Sequence, residues 1–200
     1  MPKKPDIQRL IEMQKLLLEF RAIKRMIYLP GKLDQQENDT EHSYDLTMAA
    51  WFLASHFPEL DRDKVIRLAL AHDLVEIHTG DTFAYGDAEH IASKKEREAA
   101  SAAKLAKEWS DFPDLNTAIT EYETGETNEA KFVYALDKIM PALMNILGDG
   151  YAWHNHNITL EDFRAEKEHK VSVSPEILPY YQQLYDLLRS HPELMPAKTK

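Results

Sequence analysis

Two hundred residues, 44% of them hydrophobic, can bury one sizeable core and argue for a single domain. With 34 acidic against 24 basic residues the formal charge is -10, which argues against a polymeric nucleic-acid partner. The absence of cysteine excludes disulfides, thiolate nucleophiles and Cys-type zinc sites, so any metal must be held by histidine and carboxylate side chains.

Apolar residues recur at intervals of three and four almost throughout, and no alternating β-branched run is evident, so the chain reads as all-α. The start, Met1-Pro2-Lys3-Lys4-Pro5, is basic but leads into an amphipathic segment rather than an export signal. No stretch approaches the roughly 18 apolar residues of a membrane span, which makes a cytoplasmic protein without membrane contact the default expectation. A first helix is predicted from about Asp6 to Tyr28, stopped by Pro30-Gly31. A polar loop, Lys32 to Thr40, follows, and Asn38, Asp39 and Thr40 are candidate N-caps for a second helix reaching about His56.

A third helix is expected from Asp61 or Arg62 to about His78, ending at Thr79-Gly80, with a loop from Asp81 to Asp87. Further helices are read from Ala88 to about Trp109, after Pro113 to Glu123, and from Asn128 to about Leu147. Gly148 to Thr159 reads as a loop, and a last helix from about Pro175 to Arg189 closes a domain spanning residues 1–190, with a polar tail over 191–200.

The chemistry concentrates in Leu68-Ala69-Leu70-Ala71-His72-Asp73-Leu74-Val75-Glu76-Ile77-His78-Thr79-Gly80-Asp81-Thr82, where three carboxylates and two imidazoles interrupt an apolar run. An ionised carboxylate there is costly unless it is paired or bound to a cation. On one helix His72, Asp73 and Glu76 would stack towards one side and supply half a metal shell. The remaining ligands are best sought at His42 and at Asp137, a mid-helix Asp flanked by Leu136 and Ile139. Taken singly, a core histidine bonded to backbone, or an Asp paired with Lys138, is the commoner explanation; the combination is much rarer.

His42, His72-Asp73 and Asp137 resemble the H...HD...D signature of the HD-domain metal-dependent phosphohydrolases. The segments Glu41-His42-Ser43, Ala71 to Asp81 and Glu129 to Lys138 are most similar to the 5'-deoxynucleotidase subgroup. The resemblance covers roughly residues 15 to 150. It implies a compact helical bundle with one divalent ion, Mn, Co, Fe, Ni, Zn or Mg, held between helices by His42, His72, Asp73 and Asp137. It implies Glu76 and Asp81 as the groups acting on water and substrate, or, with Thr82, as a second and weaker metal site. Arg25, with Arg21 as second choice, aligns with the family's phosphate-gripping arginine on the first helix, and Lys138 would assist it. An adjacent Glu-Asp after the His-Asp pair, as in the enzymes that hydrolyse (p)ppGpp, is missing, since Ile77 follows Glu76. His78 and His90 are the nearby candidates for the extra histidines of the cyclic-nucleotide phosphodiesterases, and His78 reads as structural.

The implied reaction is hydrolysis of nucleoside or deoxynucleoside 5'-monophosphates by a metal-activated water, in a cytoplasmic homodimer. A broader phosphoesterase and a non-enzymatic metal-containing helical module are the alternatives. Lys94, Lys95, Arg97, Lys104 and Lys107 alternate with glutamates and read as a solvated helix face without a site role. His154 and His156 could cap the pocket or stack on a base, although a surface loop is the commoner setting for such residues.

Overall fold

The computed structural model describes residues 4–197, so the first residues of the expected domain and the last of the expected tail, 1–3 and 198–200, lie outside it. The architecture is helical apart from one hairpin. Helix α1, Ile7–Ala22, is capped by Asp6, whose carboxylate accepts from the Arg9 amide, and it stops six residues short of the predicted Tyr28. Lys24–Leu29 instead forms strand β1, which pairs antiparallel with β2, Lys32–Asn38, in the segment expected as a loop. Pro30-Gly31 is therefore a hairpin turn rather than a helix stop, with Gly31 at φ 75°, a conformation glycine adopts without steric cost.

Helix α2, Asp39–Ala54, begins immediately after β2 in a capping box: the Asn38 side chain accepts from the amides of Thr40 and Glu41, and the Glu41 carboxylate accepts from the Asn38 amide. The box fixes the first turn, which carries Asp39 and His42, both buried. Helix α3, Arg62–Ala71, is capped by Asp61 and packs against α2. It ends earlier than predicted, and Leu74–His78 is a separate 3-10 turn. The backbone at Asp73 lies at φ -98° and ψ 4°, and the Ser101 hydroxyl donates to the Val75 carbonyl, so tertiary contacts close this segment before a further α-turn can form.

The predicted Ala88 to Trp109 helix divides at Ser93 into α4, Ala88–Ala92, and α5, Lys94–Glu108. Helix α6, Pro113–Thr124, is followed by the long α7, Asn128–Leu147, capped by Thr127 and carrying Pro141 in its interior. Without an N–H, Pro141 cannot satisfy the carbonyl of Asp137, so one helical hydrogen bond is missing at that residue. The expected 148–159 loop contains a short helix, α8, Tyr151–Asn155. The sequence reading assigned no helix to α9, Leu160–Val171, which is capped by Thr159 and packs on α7; α10, Leu178–Ser190, follows.

Phe132, Leu46, Leu68, Leu105 and Leu136 are fully buried together with Phe163, Ile177 and Leu188 from the C-terminal helices, so one continuous core unites both halves of the chain. Truncating a residue such as Phe132 to alanine costs about 3–5 kcal/mol in cores of this kind. Met195, beyond α10, is also buried. No helix among the described residues is long and apolar enough to cross a membrane.

Candidate metal centre and pocket

Three separate elements bring His42, His72, Asp73 and Asp137 together. The first turn of α2 supplies His42, the end of α3 supplies His72-Asp73, and the middle of α7 supplies Asp137. His42 Nε2 lies 2.9 Å from Asp137 Oδ1 and 3.9 Å from Asp73 Oδ2, while His72 Nε2 lies 3.0 Å from Asp73 Oδ2 and 3.8 Å from Asp137 Oδ1. Ligand atoms around one divalent ion with bonds of roughly 2.1 Å stand roughly 3.0–3.4 Å apart; His42, His72 and Asp73 each present one ligand atom within 4.8 Å of the others, and Asp137 adjoins them through its approach to His42.

The tautomers suit that use. His72 Nδ1 is 2.8 Å from the Ala69 carbonyl, which can only accept, so Nδ1 donates there and Nε2 is the ring nitrogen turned to the cluster. That Nε2 is buried and makes no hydrogen bond. His42 Nδ1 faces Glu37 Oε2 at 3.6 Å, a carboxylate behind the ring that orients its Nε2 towards the cluster. The residues thus fit a divalent cation by donor type and by the direction in which their ring nitrogens and carboxylates face.

A second cluster adjoins the first. Single oxygens of Asp39, Asp73 and Glu76 lie within 4.8 Å of one another, and Asp39 Oδ2 and Glu76 Oε2 are buried without hydrogen bonds. Because α3 ends at Ala71, Glu76 does not stack over His72 on one helix; the 3-10 turn carries it instead into the carboxylates. The sequence reading grouped Glu76 with Asp81 and Thr82 as a second cation site. The structure adds Asp39 to its surroundings, and the Thr82 hydroxyl accepts from Arg97 Nη2 at 2.9 Å.

Arg25 comes from β1, not from the first helix, and carboxylates surround its guanidinium. It lies 2.7 Å from Asp73, 3.3 Å from Asp39, 3.4 Å from Glu37 and 3.8 Å from Asp81. Arg21 is exposed on the last turn of α1. Lys138 Nζ lies 2.5 Å from Asp137 Oδ2. Lys94 was expected on a solvated face; it lines the pocket, 3.6 Å from Glu76 and 3.2 Å from Glu98. Arg97, from the same stretch, holds the loop of the 3-10 turn through Thr82.

Electrostatics record the crowding. Burial pushes Asp39 up to about 7, with Asp73 adding repulsion and Arg25 opposing it. Burial also raises Glu76, and Asp73 and Asp81 raise it further against Lys94. Burial would raise Asp73 and Asp137 too, yet both are held low, Asp73 by His72 and Arg25 and Asp137 by Lys138 and His42. Burial and Arg25 disfavour a charged His42, but the bonds to Asp137 and Glu37 raise it to about 9. Without a cation, protons on His42, Asp39 and Glu76 supply the missing positive charge.

The pocket opening beside this centre is lined by Asp73, Glu76, Asp81 and Asp137, by Lys94, Lys138, Lys167 and Lys170, and by an aromatic group that includes Phe83, Tyr85 and Trp153. His156 lines it as well, its ring 4.8 Å from that of Phe83, whereas His154 donates to the Glu193 carbonyl at the surface. His78 faces Glu108 and Lys104, away from the cluster. Sequence reasoning missed Glu37, Asp39 as a site carboxylate, Lys94 and Lys167. The charged run Glu37-Asn38-Asp39 before an apolar helix was the one available signal; Lys167 sits in a segment without an apolar stripe that would have marked it.

The HD domain family model matches residues 18–178. The Xenopus laevis protein named 5'-deoxynucleotidase HDDC2 is 31% identical over 134 residues, covering 64% of this chain and 64% of that protein. The Bos taurus protein of the same name is 29% identical over 133 residues, covering 66% of this chain and 63% of that protein. The match thus spans somewhat less than two thirds of the curated relatives' length. The crystal structure of a predicted metal-dependent phosphohydrolase from Magnetospirillum magnetotacticum MS-1 superposes with a TM-score of 0.77 at 29% identity, covering 94% of this chain and 99% of that one. A conserved hypothetical protein from Pyrococcus furiosus, at 22% identity and a TM-score of 0.61 over 90% of this chain and 99% of that one, shares the fold.

Proposed function

The chain belongs to the HD domain family, and from that premise we propose that it is a divalent-metal-dependent phosphohydrolase acting on nucleoside 5'-monophosphates, with deoxyribonucleotides preferred. One observation carries the reading: two imidazole nitrogens from His42 and His72 stand against Asp73 and Asp137, and those two carboxylates form the wall of a pocket that also presents ammonium groups and aromatic rings. His42, His72, Asp73 and Asp137 are the residues assigned to hold the ion. When bound there, a divalent cation polarises a phosphate oxygen and makes water more acidic.

The remaining steps belong to the chain. Lys138 and the neighbouring pocket lysines neutralise the phosphate oxyanion, and the loose transition state of phosphoryl transfer needs little more than such positioning and charge. Glu76 and Asp81, both on the pocket wall, are the carboxyl groups that take the proton of the attacking water and give one to the departing sugar oxygen. Arg25 keeps Asp73 and Asp39 in place through its ion pairs. Phe83 and His156 offer flat faces to a nucleoside. The names of the Xenopus and bovine relatives support the deoxynucleotide preference.

A homodimer also belongs to the proposal. Tyr44, Met48, Trp51 and Phe52 leave an apolar stripe exposed along α2 that a second copy of this chain would cover, which light scattering of the purified protein tests.

The activity is tested by stripping the protein of metal, restoring Mn, Co, Fe, Ni, Zn or Mg singly, and measuring phosphate release from dAMP, AMP, dGMP, dTMP and an aryl phosphate. Hydrolysis that needs a restored ion and favours the deoxynucleotides supports the proposal. Hydrolysis by the stripped protein, or no hydrolysis of any nucleotide by an ion-loaded one, refutes it.

A further inference from the structure

Five cationic side chains line the pocket, and four of them are neutralised. Arg25 is held by Asp73 and its neighbouring carboxylates, Lys138 by Asp137, Lys94 by Glu76 and Glu98, and Lys170 by Glu166. The fifth is Lys167. Its side chain is carried on the buried face of α9, only 8% of the residue is exposed, and among the described residues it forms no ion pair and no hydrogen bond. Its one neighbour of note is the Tyr85 ring, whose centroid lies 6.0 Å from Nζ. A second unused group stands beside it: the Tyr85 hydroxyl is buried, lines the same pocket and has no hydrogen-bond partner.

A buried ammonium without a counter-ion is unfavourable, and proteins normally pair it. Here no carboxylate among the described residues stands within ion-pair distance; Asp137 and Glu166 attract the ammonium from farther off and are themselves engaged by Lys138 and Lys170. The arrangement makes sense if the counter-ion arrives with a ligand. That ligand has to be an anion small enough to enter beside Asp137 and able to accept from both an ammonium and a phenol, which describes a phosphate oxyanion.

We infer that Lys167, assisted by the Tyr85 hydroxyl, is the receptor for the phosphate of the substrate and of the released product, and that Arg25 serves the carboxylate cluster instead. The inference deepens the proposed phosphohydrolase reading and rests on it for the identity of the substrate. Loss of one charge-assisted contact to phosphate predicts that Lys167→Met raises KM by roughly 10- to 100-fold, with a smaller change in kcat. Lys167→Arg restores part of the loss, because it returns the charge.

Inorganic phosphate is the direct probe. Thermal unfolding of the full protein loaded with a divalent ion is followed with phosphate and with chloride at matched ionic strength, for wild type, Lys167→Met, Lys167→Arg and Tyr85→Phe. The expected result is phosphate-specific stabilisation of wild type, none for Lys167→Met, a reduced effect for Tyr85→Phe and partial recovery for Lys167→Arg. The unfolding temperatures in chloride show directly whether each variant is folded. Equal phosphate stabilisation of Lys167→Met and wild type, or none of wild type, overturns the inference. The two readings fail separately. Lys167-dependent phosphate binding in a protein that hydrolyses no nucleotide upholds the receptor and removes the nucleotidase, whereas nucleotide hydrolysis with an unchanged KM in Lys167→Met removes the receptor alone.

Discussion

Replacing Lys167 by methionine should stabilise the phosphate-free protein. Burial, with Lys138 adding repulsion, pushes the Lys167 ammonium down to about 8 from its ordinary 10.5. At about 1.4 kcal/mol for each tenfold change in proton affinity, the gap corresponds to about 3 kcal/mol. A depressed folded-state value means that the fold is penalised wherever the group must be charged. The penalty is full below about pH 8, shrinks as pH rises, and has gone above the ordinary value of 10.5. Methionine has a similar length and reach, fills the same space and carries no charge. Urea unfolding at about pH 7 should therefore show Lys167→Met more stable than wild type by about 1–3 kcal/mol, the lower figure allowing for water reaching the ammonium. The advantage should close as the pH is taken above 10.5, and phosphate should narrow it at neutral pH by stabilising wild type alone. A lysine kept for structural reasons behaves oppositely, since its removal costs stability. A less stable Lys167→Met, or a difference that does not vary with pH, would refute the reasoning.

Asp73→Ala should abolish both bound divalent metal, read by elemental analysis, and phosphatase activity; full activity without metal would remove the assignment of the centre. Binding of a divalent ion should release protons, because His42 in the ion-free protein is protonated up to about 9 and Asp39 up to about 7. Metal affinity should accordingly rise with pH towards 9, and calorimetry at about pH 7 in buffers of different ionisation enthalpy should give buffer-dependent heats. In the ion-free protein His42 has its value raised from 6.5, so its stabilising effect is complete below 6.5 and is lost as pH rises through about 9; ion-loaded protein should lack that decline in thermal unfolding. Gly150→Ala should cost about 2–4 kcal/mol in urea unfolding. Gly150 sits at φ 74°, and an added Cβ would lie 1.9 Å from the Leu194 carbonyl oxygen, a clash with backbone that cannot rotate away.

The sequence exposed the centre because its ligands break apolar helices. His42, His72-Asp73 and Asp137 are conspicuous against Leu46, Leu68 and Leu136, and charge in such surroundings demands a partner. The hairpin was hidden because Ile23, Met26 and Ile27 continue a helical apolar interval, and a two-stranded ribbon draws its stability from packing on α7 and α8 rather than from its own pattern. The end of α3 was equally unreadable. Leu68 to Ile77 contains no glycine or proline, and the break is imposed by contacts with α5, including Ser101 on the Val75 carbonyl. Lys167 was invisible for a third reason. Leu160–Val171 is dominated by charged residues, so nothing in it separates the lysine facing α7 and Tyr85 from those facing water.

Glu37, Asp39, Asp73, Glu76, Asp81 and Asp137 crowd one wall of the fold, while Arg25, Lys94 and Lys138 are the cationic side chains paired with them. The carboxylates outnumber these cations two to one, and raised proton affinities at His42, Asp39 and Glu76 are the fold's own way of reducing the excess. A divalent ion does the same without protonating the ligands. It also changes what the pocket can accept. A phosphate dianion approaching the bare cluster meets net repulsion, whereas beside an ion it meets a local field near neutrality, with the unpaired Lys167 ammonium to complete the balance. The two sites are therefore coupled through charge: cation first, then phosphate. The coupling is reciprocal, so phosphate must tighten the hold on the metal by the factor with which the metal tightens the hold on phosphate.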